Sequence, residues 1–277
     1  MEVVTKSYAK SYAKSYAKSY AKSYAKVNLM LRVIEKKENG YHNLQMLNKK
    51  IDLFDTVKIE YSDVDKISFI NKEIDNSFLM RVLKQLKDIY NIEKNYNIEI
   101  EKNIPVGAGL GGASMNASTI IDEILKMEKI LDTSENKINN FKHLGADIAY
   151  GFFEDISIVE KEGEVIYPID VKISKPMVLV NPNIFVSTKE IFENNHIYSE
   201  MLTHEEIINN LENEYIYNND LEHSCFEKHP ELSNLKTNLS KYGKVVMSGT
   251  GSSFIVHTNM LEQLKKEFPE YLIIKIN

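Results

Sequence analysis

Apolar and polar residues alternate in the segment that precedes the first proline of the chain. Tyr96, Ile98 and Ile100 are separated by single polar residues, a period of two that is typical of a half-buried strand. Pro105 then ends this pattern. Beyond it the apolar positions follow the helical period instead, at Ile120, Ile121, Ile124, Leu125 and Leu131. The sequence therefore predicts a strand, a connecting loop and a helix.

Further strands are predicted near both ends of the chain. One alternating run begins at Lys26 and continues to Leu31. Two apolar runs, at 245–246 and 254–256, flank a loop of glycine and hydroxyl residues and are expected to form strands. The acidic, asparagine-rich stretch 203–220 is expected to form helix and surface loop, and we assign it no function.

The loop between the first predicted strand and helix is rich in glycine. Residues 104–118 read I-P-V-G-A-G-L-G-G-A-S-M-N-A-S, with four glycines in the six positions from Gly107 to Gly112. Glycine adopts positive φ and lets a ligand approach the backbone, and free N–H groups at a helix start attract anions. One or two glycines would suffice for a tight turn. This composition therefore favours a phosphate-binding loop over a turn alone.

Three known phosphate loops differ from this segment. A Walker loop needs a lysine, but the cluster ends in Gly112-Ala113-Ser114. Gly107, Gly109 and Gly112 fit the G-x-G-x-x-G pattern, yet the preceding strand alternates where a dinucleotide fold has a continuously apolar one. A protein kinase is excluded because no H-R-D or D-F-G motif follows.

Composition and charge limit the kinds of protein and of partner that fit this chain. With 277 residues, 43% of them hydrophobic, the chain can bury a sizeable core. Its net charge of -6 gives no general attraction for nucleic acid or anionic membranes. The single Cys225 excludes an internal disulfide framework, and no apolar run approaches the roughly 18 residues of a membrane span. We expect a cytoplasmic protein without nucleic-acid or membrane partners.

Zinc-binding motifs are also missing from the sequence. The seven histidines show no H-E-x-x-H motif and no paired C-x-x-C context. The motifs therefore predict no zinc site built by the protein.

The N-terminal region contains five identical copies of Lys-Ser-Tyr-Ala, from Lys6 to Ala25. Their period of four is far shorter than the unit of a solenoid. In a strand, Lys and Tyr would share one face and Ser and Ala the other, whereas in a helix the tyrosines would drift around the surface. We interpret Lys6 to Lys22 as a copy-number expansion of a short segment. The alternative is a basic, aromatic tail that binds nucleic acid or a membrane surface.

The glycine loop, P-x-G-x-G-L-G-G-x-S, resembles that of the GHMP kinases, small-molecule kinases whose loop holds the phosphates of ATP. The similarity extends over nearly the whole chain after the repeats, through A-K-V-N-L at 25–29, N-G-Y-H at 39–42, N-L-Q-M-L at 43–47, D-T-V-K-I-E at 55–60, D-N at 75–76, L-G-A-D at 144–147, N-P at 181–182 and S-G-T-G-S-S at 248–253. The G-Y-H segment resembles those members that phosphorylate a cytidine diphosphate sugar alcohol, 4-diphosphocytidyl-2-C-methyl-D-erythritol, at its 2-position in the methylerythritol phosphate route to isoprenoids. Mevalonate and homoserine kinases, which lack this segment, are the nearest alternatives.

The resemblance assigns catalysis to Lys26 and Asp147. Phosphoryl transfer needs positioned reactants, neutralised charge and a group that orients the attacking hydroxyl. Asp147 would accept the proton of that hydroxyl, and Lys26 would orient Asp147 and stabilise developing negative charge. Taken alone, Asp147 could cap a helix and Lys26 could extend into solvent from a strand end.

The resemblance also implies the residues that hold the two substrates. ATP, with Mg²⁺, would contact Asn76, Pro105, Val106, Gly107, Ala108, Gly109, Leu110, Gly111, Gly112, Ala113, Ser114 and Met115, and no ligand of the metal is assigned. The acceptor would contact Asn28, Tyr41, His42, Thr188, Phe192, Gly249, Thr250 and Gly251. Phe192 would stack on cytosine and Tyr41-His42 would bind the cytidine head.

Simpler structural roles remain open for several of these residues. Phe192 could be a core residue, Tyr41-His42 could form a turn, and the loop 248–252 could be a plain hairpin turn. Within the glycine loop and the helix start after it, Ala108, Ala113 and Met115 differ from the residues common in the family.

The implied fold is α+β in two lobes. Residues 1–22 would form the repeat extension, 23–157 an ATP-binding domain like domain 2 of ribosomal protein S5, and 158–277 a ferredoxin-like domain. The small-molecule acceptor would be the partner, and the chain could be a monomer or a homodimer. A catalytically silent relative that binds nucleotide, with the tyrosine repeats as a contact surface, is the alternative from another functional class.

Overall fold

The computed structural model describes residues 18–276, except for the side chain of Glu214. The strands in this part of the chain are β1 (Lys18–Lys36), β2 (His42–Ser62), β3 (Lys66–Phe69), β4 (Asn95–Glu101), β5 (Ile156–Lys161), β6 (Val165–Pro168), β7 (Met177–Asn181), β8 (Val245–Met247), β9 (Phe254–His257) and β10 (Leu272–Ile276). The α-helices are α1 (Ser77–Tyr90), α2 (Gly112–Glu128), α3 (Ser134–Phe141), α4 (Ile148–Gly151), α5 (Thr188–Glu193), α6 (His204–Asn209), α7 (Glu222–Lys228), α8 (Pro230–Leu239) and α9 (Leu261–Glu267). Among these described helices, none has the length and hydropathy needed to cross a membrane.

The chain divides into two compact units, each built from several segments. The described part of unit 1 comprises 18–23, 54–103 and 113–152, and that of unit 2 comprises 24–53, 104–112 and 153–276. The contiguous ranges expected from the sequence, 23–157 and 158–277, differ from this division. The difference arises because β1 and β2 each contribute residues to both units, and because the glycine loop is grouped with the C-terminal part of the chain.

Unit 1 is a sheet covered by helices. β4 pairs in parallel with β3 and antiparallel with the 56–62 part of β2. The predicted alternation is confirmed, since Tyr96, Ile98 and Ile100 are fully buried and pack in one core with the apolar faces of α1 and α2. The helical pattern ends earlier than predicted, because α2 stops at Glu128 and Leu131 is 99% exposed.

Unit 2 contains an antiparallel sheet in the order β10-β7-β9-β8. The two predicted C-terminal strands are confirmed as β8 and β9, which pair so that Met247 faces Phe254 across the hairpin. The 44–49 part of β2 pairs with β5, which in turn pairs with β6. The stretch 203–220 contains α6 and a short 3₁₀ helix at Glu214–Ile216, as the sequence predicts.

The last two repeat copies form the first part of β1. The strand therefore begins eight residues before Lys26, where the sequence pattern placed its start. Ser23 and Ala25 are buried while Lys18, Tyr20 and Lys22 are exposed, which is the division of faces that a period of two imposes on Lys-Ser-Tyr-Ala. The three earlier copies, 6–17, lie outside the described residues.

Candidate active site

The glycine loop alternates between two kinds of backbone position. Gly107, Gly109 and Gly111 have φ of +64°, +73° and +67°, in the region that favours glycine. Between them, Ala108 and Leu110 are 2% and 1% exposed and belong to the core of unit 2. The apolar side chains thus anchor the loop while the glycines turn it.

Four successive carbonyls of this loop are held by other segments of unit 2. The bonds run from Val186 N–H to Gly107 (2.9 Å), from Ser253 N–H to Ala108 (3.2 Å), from the Ser248 hydroxyl to Gly109 (2.9 Å) and from Lys26 N–H to Leu110 (3.1 Å). A trans peptide directs its N–H away from its C=O. The N–H groups that follow these carbonyls therefore point away from the supporting segments, and the described residues supply no acceptor for them.

Close packing makes glycine necessary at the centre of the loop. A Cβ placed on Gly109 would lie 2.0 Å from the Ser248 carbonyl oxygen and 3.0 Å from that of Gly251. Backbone from the 248–251 hairpin thus occupies the space that a side chain would need. The glycine loop and this hairpin form one packed pair of loops.

The residues that differ from the family pattern fit the backbone they occupy. Ala108 does not have a positive φ, and Ala113 lies within α2, where alanine is favourable. Met115 is also in α2, but it is only 2% exposed. Any contact of Met115 with a ligand would have to come from its backbone.

Lys26 lies inside β1 and is only 4% exposed. Its Nζ lies 2.8 Å from Oδ1 of Asn28, which is fully buried. Asn28 in turn donates from Nδ2 to Oδ1 of Asn48 at 2.6 Å. This burial is incompatible with a lysine that extends into solvent from a strand end.

The hydroxyl of Ser248 connects Lys26's strand to the glycine loop. It accepts the backbone N–H of Asn28 at 3.0 Å and donates to the Gly109 carbonyl at 2.9 Å. The loop 248–252 is therefore more than the hairpin turn between β8 and β9. It also supports the glycine loop. In the same loop, Thr250 Oγ1 lies 3.3 Å from Oγ1 of Thr188, which is at the start of α5.

Aromatic residues form a second group in unit 2. The rings of His42 and Phe192 lie 5.2 Å apart at 35°, and Tyr41 beside them is 61% exposed. His42 is 7% exposed, and its Nε2 has no hydrogen-bond partner among the described residues. Burial, with the nearby charge of Lys36, lowers the pKa of His42, so its imidazole is neutral at pH 7.

Asp147 and Asn76 belong to unit 1. Asp147 precedes α4 and its side chain makes no capping hydrogen bond, so the helix-cap interpretation receives no support. Asn76 precedes α1 and donates from Nδ2 to the Ile67 carbonyl at 2.6 Å. The pairing of Asp147 with Lys26 and the contact of Asn76 with ATP stay predictions.

Sequence reasoning missed Asn48 as a member of the Lys26 cluster. Asn48 is fully buried on β2, and its Nδ2 has no hydrogen-bond partner among the described residues. The signal was present, because Leu44, Met46 and Asn48 share one strand face and an amide interrupts the apolar pattern. The contact of Asn48 with Asn28 on the neighbouring strand could be identified only from the fold.

Comparisons with known proteins agree with the fold and the family expected from the sequence. The family description "GHMP kinases N terminal domain" matches residues 77–152. A solved structure of 4-(cytidine 5'-diphospho)-2C-methyl-D-erythritol kinase has the same fold, with a TM-score of 0.77, 23% identity, and coverage of 94% of this chain and 99% of that one. Homoserine kinase from Cytophaga hutchinsonii is more distant, with a TM-score of 0.69, 14% identity and 95% coverage of both chains.

Curated relatives are more similar in sequence. The 4-diphosphocytidyl-2-C-methyl-D-erythritol kinase of Francisella philomiragia is 33% identical over 256 residues, which cover 89% of this chain and 90% of that protein. Its counterpart from Thermodesulfovibrio yellowstonii is 31% identical over 245 residues, which cover 82% of this chain and 85% of that protein. The expected α+β fold is thereby confirmed, and the chain belongs to the 4-diphosphocytidyl-2-C-methyl-D-erythritol kinase family of GHMP kinases.

Proposed function

We propose that this protein transfers the γ-phosphoryl group of ATP to the 2-hydroxyl of 4-diphosphocytidyl-2-C-methyl-D-erythritol, in the methylerythritol phosphate route to isoprenoid precursors. Its membership of the kinase family supports the reaction. The observation that carries the proposal is the glycine loop, in which four successive carbonyls are engaged by other segments while the N–H groups that follow them find no acceptor among the described residues, as an anion site needs.

ATP would bind with its phosphates against this loop and the first turn of α2. The donor set fits a polyphosphate, because backbone N–H groups and a helix start both favour negative charge. The side chains of Ala108 and Leu110 point into the core, so their contribution would come from the backbone. Mg²⁺ would arrive bound to ATP. The hydroxyl of Ser114, in the first turn of α2, offers an oxygen atom, which is the type of ligand that Mg²⁺ prefers.

Lys26 and Asp147 would carry the chemistry. The acceptor hydroxyl oxygen forms a bond to the γ-phosphorus, the bond from that phosphorus to the β–γ bridging oxygen breaks, and ADP leaves. The hydroxyl proton passes to the carboxylate of Asp147. The ammonium of Lys26, held by Asn28, stabilises the negative charge that develops.

The cytidine head of the acceptor would lie on the aromatic group of unit 2. Phe192 offers a ring face for cytosine, and His42 offers a buried Nε2 without a partner among the described residues. Since His42 is neutral, it can donate from one ring nitrogen and accept at the other. Asn28, Thr188 and the 249–251 backbone would contact the rest of the acceptor.

The cellular setting is part of the proposal. We place the enzyme in the cytoplasm, as a monomer or a homodimer, with small molecules rather than nucleic acid or membranes as its partners. Its net charge of -6 and its single cysteine support this assignment.

ADP release with MgATP tests the reaction directly. The full-length protein should turn over with 4-diphosphocytidyl-2-C-methyl-D-erythritol and not with mevalonate or homoserine at the same concentration. Turnover confined to mevalonate or homoserine would overturn the acceptor assignment. ATP binding without turnover on any acceptor would instead favour the catalytically silent alternative.

Replacement of Asp147 by Asn tests the role of the carboxylate. Because general base catalysis contributes typically about 10²- to 10⁴-fold, kcat should fall by at least about 100-fold. The affinity for ATP, measured by equilibrium titration, should remain within about threefold, since the glycine loop is untouched. Near-normal kcat in this variant would remove Asp147 from the mechanism.

A further inference from the structure

A cluster of side chains in unit 2 has the chemistry of a metal site and takes no part in the proposed reaction. His196, His223 and Glu227 bring two imidazole nitrogens and a carboxylate oxygen within 4.8 Å of one another. Two histidines and one glutamate form a ligand set that Zn²⁺ accepts, with water in its remaining position. We propose that these three residues bind one divalent transition-metal ion such as Zn²⁺.

Two of the ligands lie on one face of one helix. His223 and Glu227 are four residues apart on α7, and His223 Nδ1 lies 3.4 Å from Glu227 Oε1. The ring of His196 meets that of His223 edge-on, with centroids 4.7 Å apart at 82°. Tetrahedral Zn²⁺ places its ligand atoms about 3.4 Å apart. Rotation of these exposed side chains would bring their ligand atoms, now within 4.8 Å of one another, to that spacing.

The tautomer of His196 suits a metal ligand. Its Nδ1 lies 3.2 Å from the carbonyl oxygen of Asn194, which can only accept a hydrogen bond. This contact therefore holds the proton on Nδ1 and leaves the lone pair of Nε2 available. Metal-binding histidines commonly have this arrangement, in which a backbone carbonyl fixes the ring and its tautomer.

A buried serine fastens the loop that carries His196 to the helix that carries the other ligands. The hydroxyl of Ser224 on α7 lies 3.3 Å from Asn195 Oδ1 and 3.4 Å from the Asn194 carbonyl. Asn195 is itself 6% exposed and donates to the Ile197 carbonyl at 2.8 Å. The backbone on both sides of His196 is thus positioned relative to α7 before any ion binds, which reduces the entropy lost on binding.

The ligand atoms determine the class of ion. Imidazole nitrogen favours zinc, copper, nickel and cobalt, whereas magnesium and calcium prefer oxygen ligands. The site therefore differs in chemistry from the Mg²⁺ that accompanies ATP. Motifs alone would not predict such a site, since H-x-x-x-E at 223–227 supplies only two ligands and the fold supplies the third.

An ion at this site would join the segment after α5 to α7. The bound ion would stabilise unit 2 by mass action, because it would bind the folded chain and not the separated segments. The same helix α5 carries Thr188 and Phe192, the residues proposed to contact the acceptor.

Calorimetric titration of tag-free, chelator-treated full-length protein with ZnCl₂ tests the proposal. We expect one saturable Zn²⁺ per chain in the wild type and a rise in melting temperature. His196→Gln and His223→Gln should each weaken binding at least about tenfold, since loss of a mere supporting partner of a metal ligand already has that effect. Co²⁺ should bind the same site and show a visible absorption that these variants lose.

His229→Gln provides the matched control, because His229 contacts Glu231 at 3.1 Å in the same His–Glu manner but outside the cluster. It should bind Zn²⁺ as the wild type does. Equal melting temperatures of all variants in EDTA would show that folding is unchanged. Absence of saturable binding, or binding unaffected by both His196→Gln and His223→Gln, would overturn the site without affecting the kinase proposal.

Discussion

Two lysines of this protein are equally buried and yet belong to very different surroundings. Lys26 in unit 2 and Lys102 in unit 1 are each 4% exposed. Lys102 forms an ion pair with Asp55, which is fully buried and also accepts the Asn103 N–H at 2.8 Å and the Asn116 Nδ2 at 2.9 Å. Lys26 contacts the amide oxygen of Asn28.

The two clusters differ in how the lysine is held and in what lies next to it. Burial lowers the pKa of Lys102 and the charge of Asp55 opposes that shift, so each charge stabilises the other. Each cluster keeps one buried amide atom without a partner among the described residues, Asn116 Oδ1 beside Asp55 and Asn48 Nδ2 beside Asn28, but the Lys26 cluster adjoins the glycine loop through Ser248. Burial alone therefore does not distinguish a structural lysine from a candidate catalytic one. The surrounding donors and acceptors do.

Lys102→Met should give the largest effect on stability. Removal of one partner from a buried ion pair is expected to lower the free energy of unfolding by about 3–5 kcal/mol, because the carboxylate of Asp55 stays buried without its ammonium. Urea unfolding followed by circular dichroism measures this loss. The double variant Asp55→Asn with Lys102→Met should recover part of the lost free energy. If it were as unstable as Lys102→Met alone, the two charges would not stabilise each other.

Gly109→Ala should have a smaller effect on stability but a direct one on ATP. The positive φ and the 2.0 Å approach of the Ser248 carbonyl should destabilise the loop by about 1–3 kcal/mol and raise KM for ATP. Gly40→Ala is the matched control, because its φ is +84° but nothing lies within 4 Å of the added Cβ. It should change stability by about 1 kcal/mol and leave KM for ATP unchanged. Equal KM values in the two variants would remove the loop from ATP binding.

Deletion of residues 6–21 should have the smallest effect. The shortened chain reads M-E-V-V-T-K-S-Y-A-K-V-N-L, so the last copy keeps Ser23, whose hydroxyl accepts from Asn116 at 2.9 Å. The lost copies include Lys18, whose ion pair with Glu60 is half-exposed and contributes at most about 1 kcal/mol. Activity should be unchanged in the ADP-release assay. Loss of activity would contradict the interpretation of the repeats as an expansion.

Local patterns of sequence predicted much of the fold. The strand before the glycine loop, the helix after it and the hairpin strands β8 and β9 all follow from period and composition. The sequence leaves the repeat copies open between strand and helix, and their place in β1, with Ser23 and Ala25 buried, comes only from the structure. Leu131 was misplaced, because an apolar residue at helical spacing carries no signal that the helix has already ended.

Features that depend on distant segments could not be predicted from sequence. Four segments of unit 2 hold the carbonyls of the glycine loop, and no local pattern specifies those partners. The same limit explains why the cluster of His196, His223 and Glu227 was missed. The discontinuous units arise in the same way, since long strands contribute residues to both.

Turnover of the Lys26→Met variant tests whether the cluster around Lys26 is the catalytic one. Loss of the ammonium should lower kcat by about 10²- to 10³-fold with MgATP and 4-diphosphocytidyl-2-C-methyl-D-erythritol, the effect of removing one donor that stabilises a developing charge. Circular dichroism should show that the variant is folded, so that the fall in kcat is not a loss of structure. A Lys26→Met protein that turns over at the wild-type rate would show that the ammonium of Lys26 has no part in catalysis.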